Sequence, residues 1–133
     1  MIKVNIIKKD GIGFSHSASK LSSLLSSATD KLNVSTDATV EISVLGEESI
    51  RALNRKFRRI NLKTDVLSFP IKQYPKIKNI LGDIVICPAV INERGEDIES
   101  VILHGFLHLL GYDHEQNLKK WNEAEKLIGN RYE

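Results

Sequence analysis

The sequence predicts an α+β (mixed α/β) fold in which a small four-stranded mixed sheet packs with about four to five helices. About four segments show the alternation or the short apolar runs typical of strands, and about as many have apolar residues at helical spacing. A chain of 133 residues with a hydrophobic fraction of 41% has the length and composition of one domain. We therefore expect residues 1–133 to form a single domain.

The predicted strands follow two patterns. Thr39–Leu45 alternates apolar and polar residues, which is the period of a half-buried strand. Ile80–Cys87 is the most apolar candidate and ends at Pro88. The four predicted strands are Ile2–Ile7, Thr39–Leu45, Asp65–Phe69 and Ile80–Cys87.

The predicted helices are bounded by capping and breaking residues. Ser15 is placed as the cap of the first helix, and Gly111 stops the helix that contains two of the histidines. Gln73–Asn79 is predicted to be a basic loop. The predicted helices run from Ser15 to Leu32, from Glu47 to Phe57, for one turn from Pro88 to Asn92, from Asp97 to Leu110, and from Leu118 to Ile128.

Composition excludes several classes of protein. The single cysteine, Cys87, excludes an internal disulfide and a multi-cysteine zinc site, and its apolar run predicts that it is buried. No apolar stretch is long enough to cross a bilayer, and the first ten residues do not have the pattern of a signal peptide. We therefore expect a cytoplasmic protein with no membrane partner.

Positive charge is concentrated although the net charge is only +2. Residues 51–63 contain six basic residues and no acidic one. Such a cluster is typical of a surface that binds a polyanion, but a solvated helix face has the same pattern, and charge alone leaves both open. The basic residues are Arg51, Arg55, Lys56, Arg58, Arg59 and Lys63, followed by Lys72, Lys76 and Lys78.

Three of the four histidines fall in one short run, H-G-F-L-H-L-L-G-Y-D-H. His104 and His108 are four residues apart, so on a helix they lie on one face and both can reach one ion. Gly111 can adopt the left-handed turn that brings His114 to the same ion. We predict one zinc ion on these three side chains, with nickel, cobalt or manganese as alternatives.

The same histidine spacing occurs in metzincin peptidases, H-E-x-x-H-x-x-G-x-x-H. Here Gly105 occupies the place of the glutamate that acts as their general base. A peptidase-like zinc hydrolase would therefore need some other base, which makes it a weak alternative for this site. A non-catalytic protein with a structural zinc ion is a third, although three histidines leave the open coordination position of a catalytic site.

Four blocks of the sequence together resemble the bacterial YbeY endoribonucleases over about residues 40–130. They are L-N-R-K-F-R (53–58), T-D-V-L-S-F-P (64–70), L-G-D-I-V-I (81–86) and the histidine run (104–114). The resemblance implies a metal-dependent, single-strand-specific endoribonuclease that matures the 3′ end of 16S rRNA and takes part in ribosome quality control. It implies single-stranded RNA, ribosomal RNA and the small ribosomal subunit as partners, and no DNA. The non-catalytic alternative then becomes a ribosome-associated zinc protein.

The resemblance also assigns site residues. It places zinc on His104, His108 and His114, and it gives the catalytic arginine as Arg58, which follows an aromatic residue. Members of the family commonly continue with Gly-x-Asp-x-Pro, whereas this chain has R-I-N-L-K at 59–63. We therefore expect a differently shaped loop there.

Other residues receive structural interpretations. His16 is expected to be exposed, and Leu118 and Trp121 are expected to pack in the terminal helix. Asp65 and Asp83 either orient the site or are structural. The aromatic content of 6% offers no evident platform for stacking RNA bases. The sequence leaves open whether water or the ribose 2′-hydroxyl attacks phosphorus, and we favour water.

Overall fold

The predicted α+β architecture is confirmed: a four-stranded mixed sheet packs with five helices in the described part of the chain. The computed structural model describes residues 1–71 and 79–130. The elements are β1 (Ile2–Lys8), α1 (Ala18–Lys31), β2 (Ala38–Val44), α2 (Glu47–Arg58), β3 (Val66–Pro70), β4 (Ile80–Ile86), α3 (Pro88–Glu93), α4 (Ile98–Leu109) and α5 (Leu118–Ile128).

The sheet has the order β1-β2-β4-β3. β1 pairs parallel to β2 and β2 pairs parallel to β4, whereas β3 pairs antiparallel to β4. β3 is an edge strand, and this position tolerates Pro70, which has no N–H to donate. The arrangement places β3 beside α4, which carries two of the three clustered histidines.

Gly82 allows β4 to change register at its start. The pairing with β2 shifts between Thr39 and Val40, and Gly82 has φ +151°. A Cβ on Gly82 would lie 2.5 Å from the carbonyl oxygen of Phe69 and 2.8 Å from the Leu109 side chain. Only glycine fits this close approach of β3, β4 and the end of α4.

The sheet separates two apolar clusters. The larger lies on the face covered by α1, α4 and α5, and the smaller lies under α2 and α3. Alternation in β2 and β4 produces this division, because successive side chains of a strand point to opposite faces. The larger cluster includes Val40, Ile42, Ile84, Ile86, Leu25 and Phe106, and the smaller includes Leu45, Ile50, Leu67, Val85, Cys87 and Val90.

The predicted ends of most helices and strands agree with the structure to within one residue, but the predicted start of α1 was wrong. Its cap is Ser17, whose Oγ accepts a hydrogen bond from the backbone N–H of Lys20 at 3.1 Å. The prediction placed the cap at Ser15. Both serines are plausible caps in sequence, and only the backbone geometry separates them.

Two burial predictions were also wrong. His16 is largely buried: its side chain is 19% exposed, stacks on Phe14 and lies 3.6 Å from a Glu99 oxygen. Leu118, at the first turn of α5, is exposed instead of packed. Trp121 is buried as predicted, and so is Cys87, where burial raises the pKa of the thiol.

Within residues 1–71 and 79–130, the structure contains no helix that is both long and apolar enough to cross a membrane. Most of the predicted basic loop Gln73–Asn79 lies outside the described residues, and so do Lys72, Lys76 and Lys78. The terminal residue of that loop, Asn79, is described and has φ +68°.

Candidate metal centre and cleft

α4 carries two of the clustered histidines on a helix that is otherwise almost wholly apolar. Asp97 begins it as a side-chain cap, accepting a hydrogen bond from the N–H of Ser100 at 3.0 Å. The surrounding apolar side chains are buried against β3 and β4. His104 and His108 are one helical turn apart and are both partly exposed. The helix therefore presents two imidazoles from a rigid, buried element.

Gly105 is the point of closest approach between α4 and the sheet. A Cβ at this position would lie 3.0 Å from the side chains of both Ile84 and Ser68, and 3.2 Å from Val66. The Ser68 hydroxyl donates a hydrogen bond to the Gly105 carbonyl at 3.1 Å. The glutamate of the peptidase motif would have to enter this contact, so Gly105 serves packing here.

The end of α4 reverses the chain as predicted. Gly111 has φ +98° and donates its N–H to the carbonyl of His108 at 3.1 Å. The N–H of Tyr112 donates to the carbonyl of Leu107 at 3.0 Å, which satisfies another carbonyl at the helix end. A side chain at Gly111 would be strained at this φ.

The turn that follows holds His114 in place. The Asp113 carboxylate accepts a hydrogen bond from the N–H of Glu115 at 2.9 Å. The Asp113 carbonyl accepts another from the N–H of Asn117 at 2.9 Å. The Asn117 side chain then caps α5 by accepting from the N–H of Lys120 at 3.1 Å. Asp113 therefore fixes the turn containing the third histidine.

His104, His108 and His114 meet at one point. Each offers one nitrogen such that the three ligand atoms lie within 4.8 Å of one another. Their ring centroids are 4.9 to 5.8 Å apart. In residues 1–71 and 79–130 the group contains these three side chains and no fourth histidine, cysteine or carboxylate.

The electrostatics of His104 and His108 favour the neutral form of both rings. Burial, followed by repulsion from His108 and His114, lowers the pKa of His104 to about 4. Burial also lowers the pKa of His108, with smaller contributions from the charges of His114 and Arg58. Neutral imidazole is the form that binds a metal ion. The three-imidazole donor set, with two of its rings held neutral, therefore fits a divalent ion such as zinc.

The rings open into a cleft of about 570 Å³. One side, the histidine wall, consists of His104, His108 and residues 111–116. Another part of the lining, the arginine wall, consists of Phe57 and Arg58, and the remaining lining residues belong to β3. The predicted metal ligands and Arg58 thus line the same cleft.

Arg58 is the last residue of α2 and is exposed. The helix has Glu47 and Glu48 in its first turn and basic residues in its last, which matches the helix dipole. Arg59 ends it in the left-handed conformation, with φ 59° and ψ 30°. The buried Asn54 side chain donates to the carbonyl of Leu62 at 2.8 Å and ties the following loop to α2.

The loop at 59–63, where the chain departs from the family pattern, is held by side chains on its neighbours. Arg51 donates its Nε–H to the Asn61 side chain at 3.0 Å. Lys63 Nζ lies 2.8 Å from a carboxylate oxygen of Glu47 and 3.1 Å from one of Glu93. Two of the six predicted basic residues therefore fasten this loop.

The structure reveals an aromatic pair that the sequence analysis missed. Phe57 is 55% exposed, and its ring meets that of Phe69 edge to face at a centroid distance of 5.2 Å. Lys56 Nζ lies 5.3 Å from the centre of the Phe57 ring. The overall aromatic content of 6% concealed this local pair. The signal that could have found it is an aromatic residue directly before the arginine assigned to the site.

The sequence also did not show that Trp121 lies against the histidines. Its indole centroid is 4.9 to 5.1 Å from those of His104, His108 and His114. Its Nε1–H donates to a carboxylate oxygen of Glu125 at 3.1 Å. These contacts depend on the direction in which α5 returns after the Gly111 turn, and no spacing rule predicts that direction.

The two aspartates left open by the sequence are not among the described residues that line the cleft. Asp65 is buried; its carboxylate accepts from the N–H of Val66 at 2.8 Å and lies 3.4 Å from Arg94. Asp83 pairs across the sheet with Glu41, and burial followed by the Glu41 charge raises its pKa. Asp65 thus anchors the start of β3.

Together, the fold and the cleft define a class: an α+β protein with a three-histidine group that could hold a metal ion in a cleft also lined by a cationic side chain. The neutral imidazoles and the neighbouring arginine suit chemistry on an anionic substrate.

Comparison with known proteins identifies the family. The family described as Endoribonuclease YbeY matches residues 4–133. The chain belongs to this family, which confirms the resemblance seen in the sequence.

Several curated relatives carry the name Endoribonuclease YbeY. Those of Staphylococcus saprophyticus and Staphylococcus carnosus are 31% and 33% identical over 96% and 85% of this chain, and 90% and 84% of their own lengths. One from an Anaeromyxobacter species is 42% identical over 60% of this chain. The chain spans 46% to 65% of the length of that relative, of one from a Thermotoga species and of one from Anaeromyxobacter dehalogenans.

A solved structure has the same fold. The solution structure of TM1509 from Thermotoga maritima aligns with 98% of this chain and 88% of its own, with a TM-score of 0.55 and 26% sequence identity.

Proposed function

We propose that this protein is a metal-dependent endoribonuclease that cleaves single-stranded RNA. Its proposed task is maturation of the 3′ end of 16S rRNA and ribosome quality control in the cytoplasm, on the small ribosomal subunit. The observation that carries the proposal is the meeting of three imidazole ligand atoms within 4.8 Å in a cleft that Arg58 also lines.

His104, His108 and His114 would hold the ion. When bound, a divalent ion on three neutral imidazoles supplies a Lewis acid and lowers the pKa of a coordinated water toward 7. The low pKa of His104, about 4, keeps that ring in its coordinating form near neutral pH. The described residues offer no fourth histidine, cysteine or carboxylate to the group, and an open fourth position suits a catalytic role more than a structural one.

Arg58 would bind the phosphate of the RNA backbone. Its guanidinium is always charged and can donate two parallel hydrogen bonds to a phosphoryl group. It is exposed at the end of α2 and lines the same cleft as the histidines. Stabilisation of the charge that develops on phosphorus is the proposed catalytic role.

The arginine wall suits an unpaired strand. Phe57 offers an exposed aromatic ring beside Arg58, backed by Phe69. An unpaired base can stack on such a ring, whereas a base inside a duplex cannot reach it. Lys56, also exposed on α2 and within 5.3 Å of the Phe57 ring, adds charge that attracts the backbone.

The test is RNA cleavage by protein of measured metal content. We expect cleavage of a single-stranded 16S 3′-end RNA, and little cleavage of duplex RNA, DNA of the same sequence or casein. Arg58→Ala should lower kcat/KM by about 100-fold or more and retain the metal. Arg55→Ala is the matched control, because Arg55 is exposed on the same helix and is not among the described residues lining the cleft.

Each outcome decides one part of the proposal. Equal cleavage by wild type and Arg58→Ala would identify a contaminating nuclease or refute the role of Arg58. Casein cleavage with inert RNA would favour the peptidase alternative. End-group analysis separates the two attacks on phosphorus, because a 2′,3′-cyclic phosphate requires the 2′-hydroxyl as nucleophile and excludes the favoured attack by water.

A further inference from the structure

One side chain touches all three clustered histidines. The Trp121 indole lies 5.1 Å from the His104 ring, 4.9 Å from the His108 ring and 5.1 Å from the His114 ring, measured between centroids. The imidazole centroids are separated from one another by 4.9 to 5.8 Å. Because the four rings are almost equidistant, the indole must lie over one face of the triangle that the imidazoles form.

The other face of that triangle is the accessible one. All three histidines line the cleft, whereas Trp121 is 5% exposed and is not among the described residues of the lining. The imidazoles thus separate the cleft from the indole. An ion held by these rings could exchange ligands on the cleft side alone.

The indole is itself held in place. Its N–H donates to a Glu125 oxygen one helical turn later at 3.1 Å. Asn117 caps the start of α5 directly after the turn containing His114. Trp121 and His114 are therefore connected through a short, hydrogen-bonded stretch of chain, so the indole and the third imidazole are positioned together.

We propose that Trp121 is a positioning residue that closes the inner side of the three-histidine site. Its ring contacts keep the imidazoles in their coordinating orientation before the ion arrives, and its bulk excludes water from the inner side. Groups that orient metal ligands from behind typically change metal affinity by about 10- to 100-fold when they are removed. The inference rests on the proposed metal site.

The test compares metal binding by Trp121→Leu, Trp121→Phe and wild type. The zinc dissociation constant is measured in competition with a chromophoric chelator, and Co²⁺ absorption reports the coordination number. Trp121→Leu should bind zinc about 10- to 100-fold more weakly, with the weaker absorption of a higher coordination number. Trp121→Phe keeps an aromatic ring behind the histidines, so its zinc dissociation constant should stay within about threefold of the wild-type value.

A packing control separates positioning from stability. Ile128 is buried at the far end of the same helix, seven residues after Trp121. Ile128→Ala should therefore lower thermal stability with little change in zinc affinity. The chain has one tryptophan, so its emission reports the site directly. Co²⁺ or Ni²⁺ should quench that emission in wild type, and much less so at the same concentration in His114→Ala.

The outcomes distinguish the two proposals. If wild type binds no metal, the proposed metal site is wrong. If wild type binds metal and a folded Trp121→Leu binds zinc within twofold of it, the positioning role of Trp121 is wrong. If Trp121→Leu does not fold, Glu125→Ala tests the positioning role instead. This variant removes the hydrogen-bond acceptor that holds the indole N–H and leaves Trp121 itself in place. An unchanged zinc dissociation constant in that variant would likewise overturn the inference.

Discussion

The two walls of the cleft are built in opposite ways. The histidine wall adjoins the larger apolar cluster, which includes the buried indole behind its rings, and hydrogen bonds fix its turn. The arginine wall is the exposed end of an amphipathic helix, with a charged side chain and a bare aromatic ring. The first wall has the rigidity that metal coordination requires. The second has the reach and charge that attract a flexible polyanion.

The comparison predicts the largest effect on the histidine wall. His108→Ala removes one of the three proposed ligands, so the proposed site should lose its metal and cleavage should fall by at least about 1000-fold, roughly 4 kcal/mol. Metal analysis and initial cleavage rates measure this. His16→Ala is the control, because His16 is also partly buried but lines a different pocket. Full activity of metal-free His108→Ala would remove the metal from the mechanism.

Gly105 should be the next most sensitive position. Gly105→Glu restores the peptidase motif, but its Cβ would already be 3.0 Å from Ile84 and Ser68, and its charge would be buried. We expect loss of at least about 3 kcal/mol of unfolding free energy and no peptidase activity. Denaturant unfolding measures this. Gly105→Ala should have an unfolding free energy close to that of wild type, because the higher helix propensity of alanine, worth about 1 kcal/mol, offsets the crowding at its Cβ. A stable Gly105→Glu that cleaves casein would contradict this role of Gly105.

The two walls also differ in how far the sequence predicts them. The pair His104 and His108 follows from helical periodicity, and the turn to His114 follows from the conformational freedom of Gly111. The strands follow from alternation, to within one residue at most ends. All of these are local rules. Arg58 could be assigned from the family resemblance alone, because a charge at a helix end has no spacing signature.

The remaining features depend on non-local packing. Trp121 reaches the histidines because the first turns of α5 place its ring beside theirs, and Phe57 meets Phe69 because α2 and β3 are brought together by the loop at 59–63. His16 is covered because the segment before α1 packs near Glu99. Burial at such places is decided by elements far apart in sequence, so period and composition could not predict it.

On the arginine wall, Phe57 should affect binding more than chemistry. Loss of one stacked base contact is worth about 1–3 kcal/mol, so Phe57→Ala should raise KM about tenfold or more for single-stranded RNA. Phe57→Tyr keeps the ring and should behave like wild type. The ratio of KM to kcat effects, measured on one RNA, distinguishes stacking from a catalytic role. An unchanged KM in Phe57→Ala would remove the stacking platform.

The junction of α4 with β3 should show a pH effect. Burial, followed by the hydrogen bond and charge of Asp65, raises the pKa of Glu96 to about 7. A raised pKa in the folded state favours folding at low pH, and this stabilisation is lost as pH rises from about 5 through 7. We expect Glu96→Gln to gain about 1 kcal/mol relative to wild type at pH 8, allowing for solvent screening. Unfolding curves of apoprotein at pH 5 and pH 8 measure it.

The exposed Glu123→Gln is the control for that comparison, because it changes the same group on α5, away from Asp65. It should follow the wild-type pH dependence. If the unfolding free energies of wild type and Glu96→Gln change equally between pH 5 and pH 8, ionisation of Glu96 beside Asp65 does not contribute to the pH dependence of stability.

The smallest effect concerns the C-cap of α2. Arg59 adopts φ 59°, a conformation that glycine enters without strain, and the family pattern commonly has glycine there. Arg59→Gly should therefore raise the unfolding free energy by about 0.5–1 kcal/mol, whereas Arg55→Gly, inside the same helix, should lower it by about 1 kcal/mol. If Arg59→Gly is more stable but cleaves RNA more slowly, Arg59 contributes to binding, and the arginine wall extends beyond Arg58. Unchanged cleavage would limit the arginine wall to Phe57 and Arg58, because positive charge at the end of α2 would then matter only on a residue that lines the cleft with the histidines.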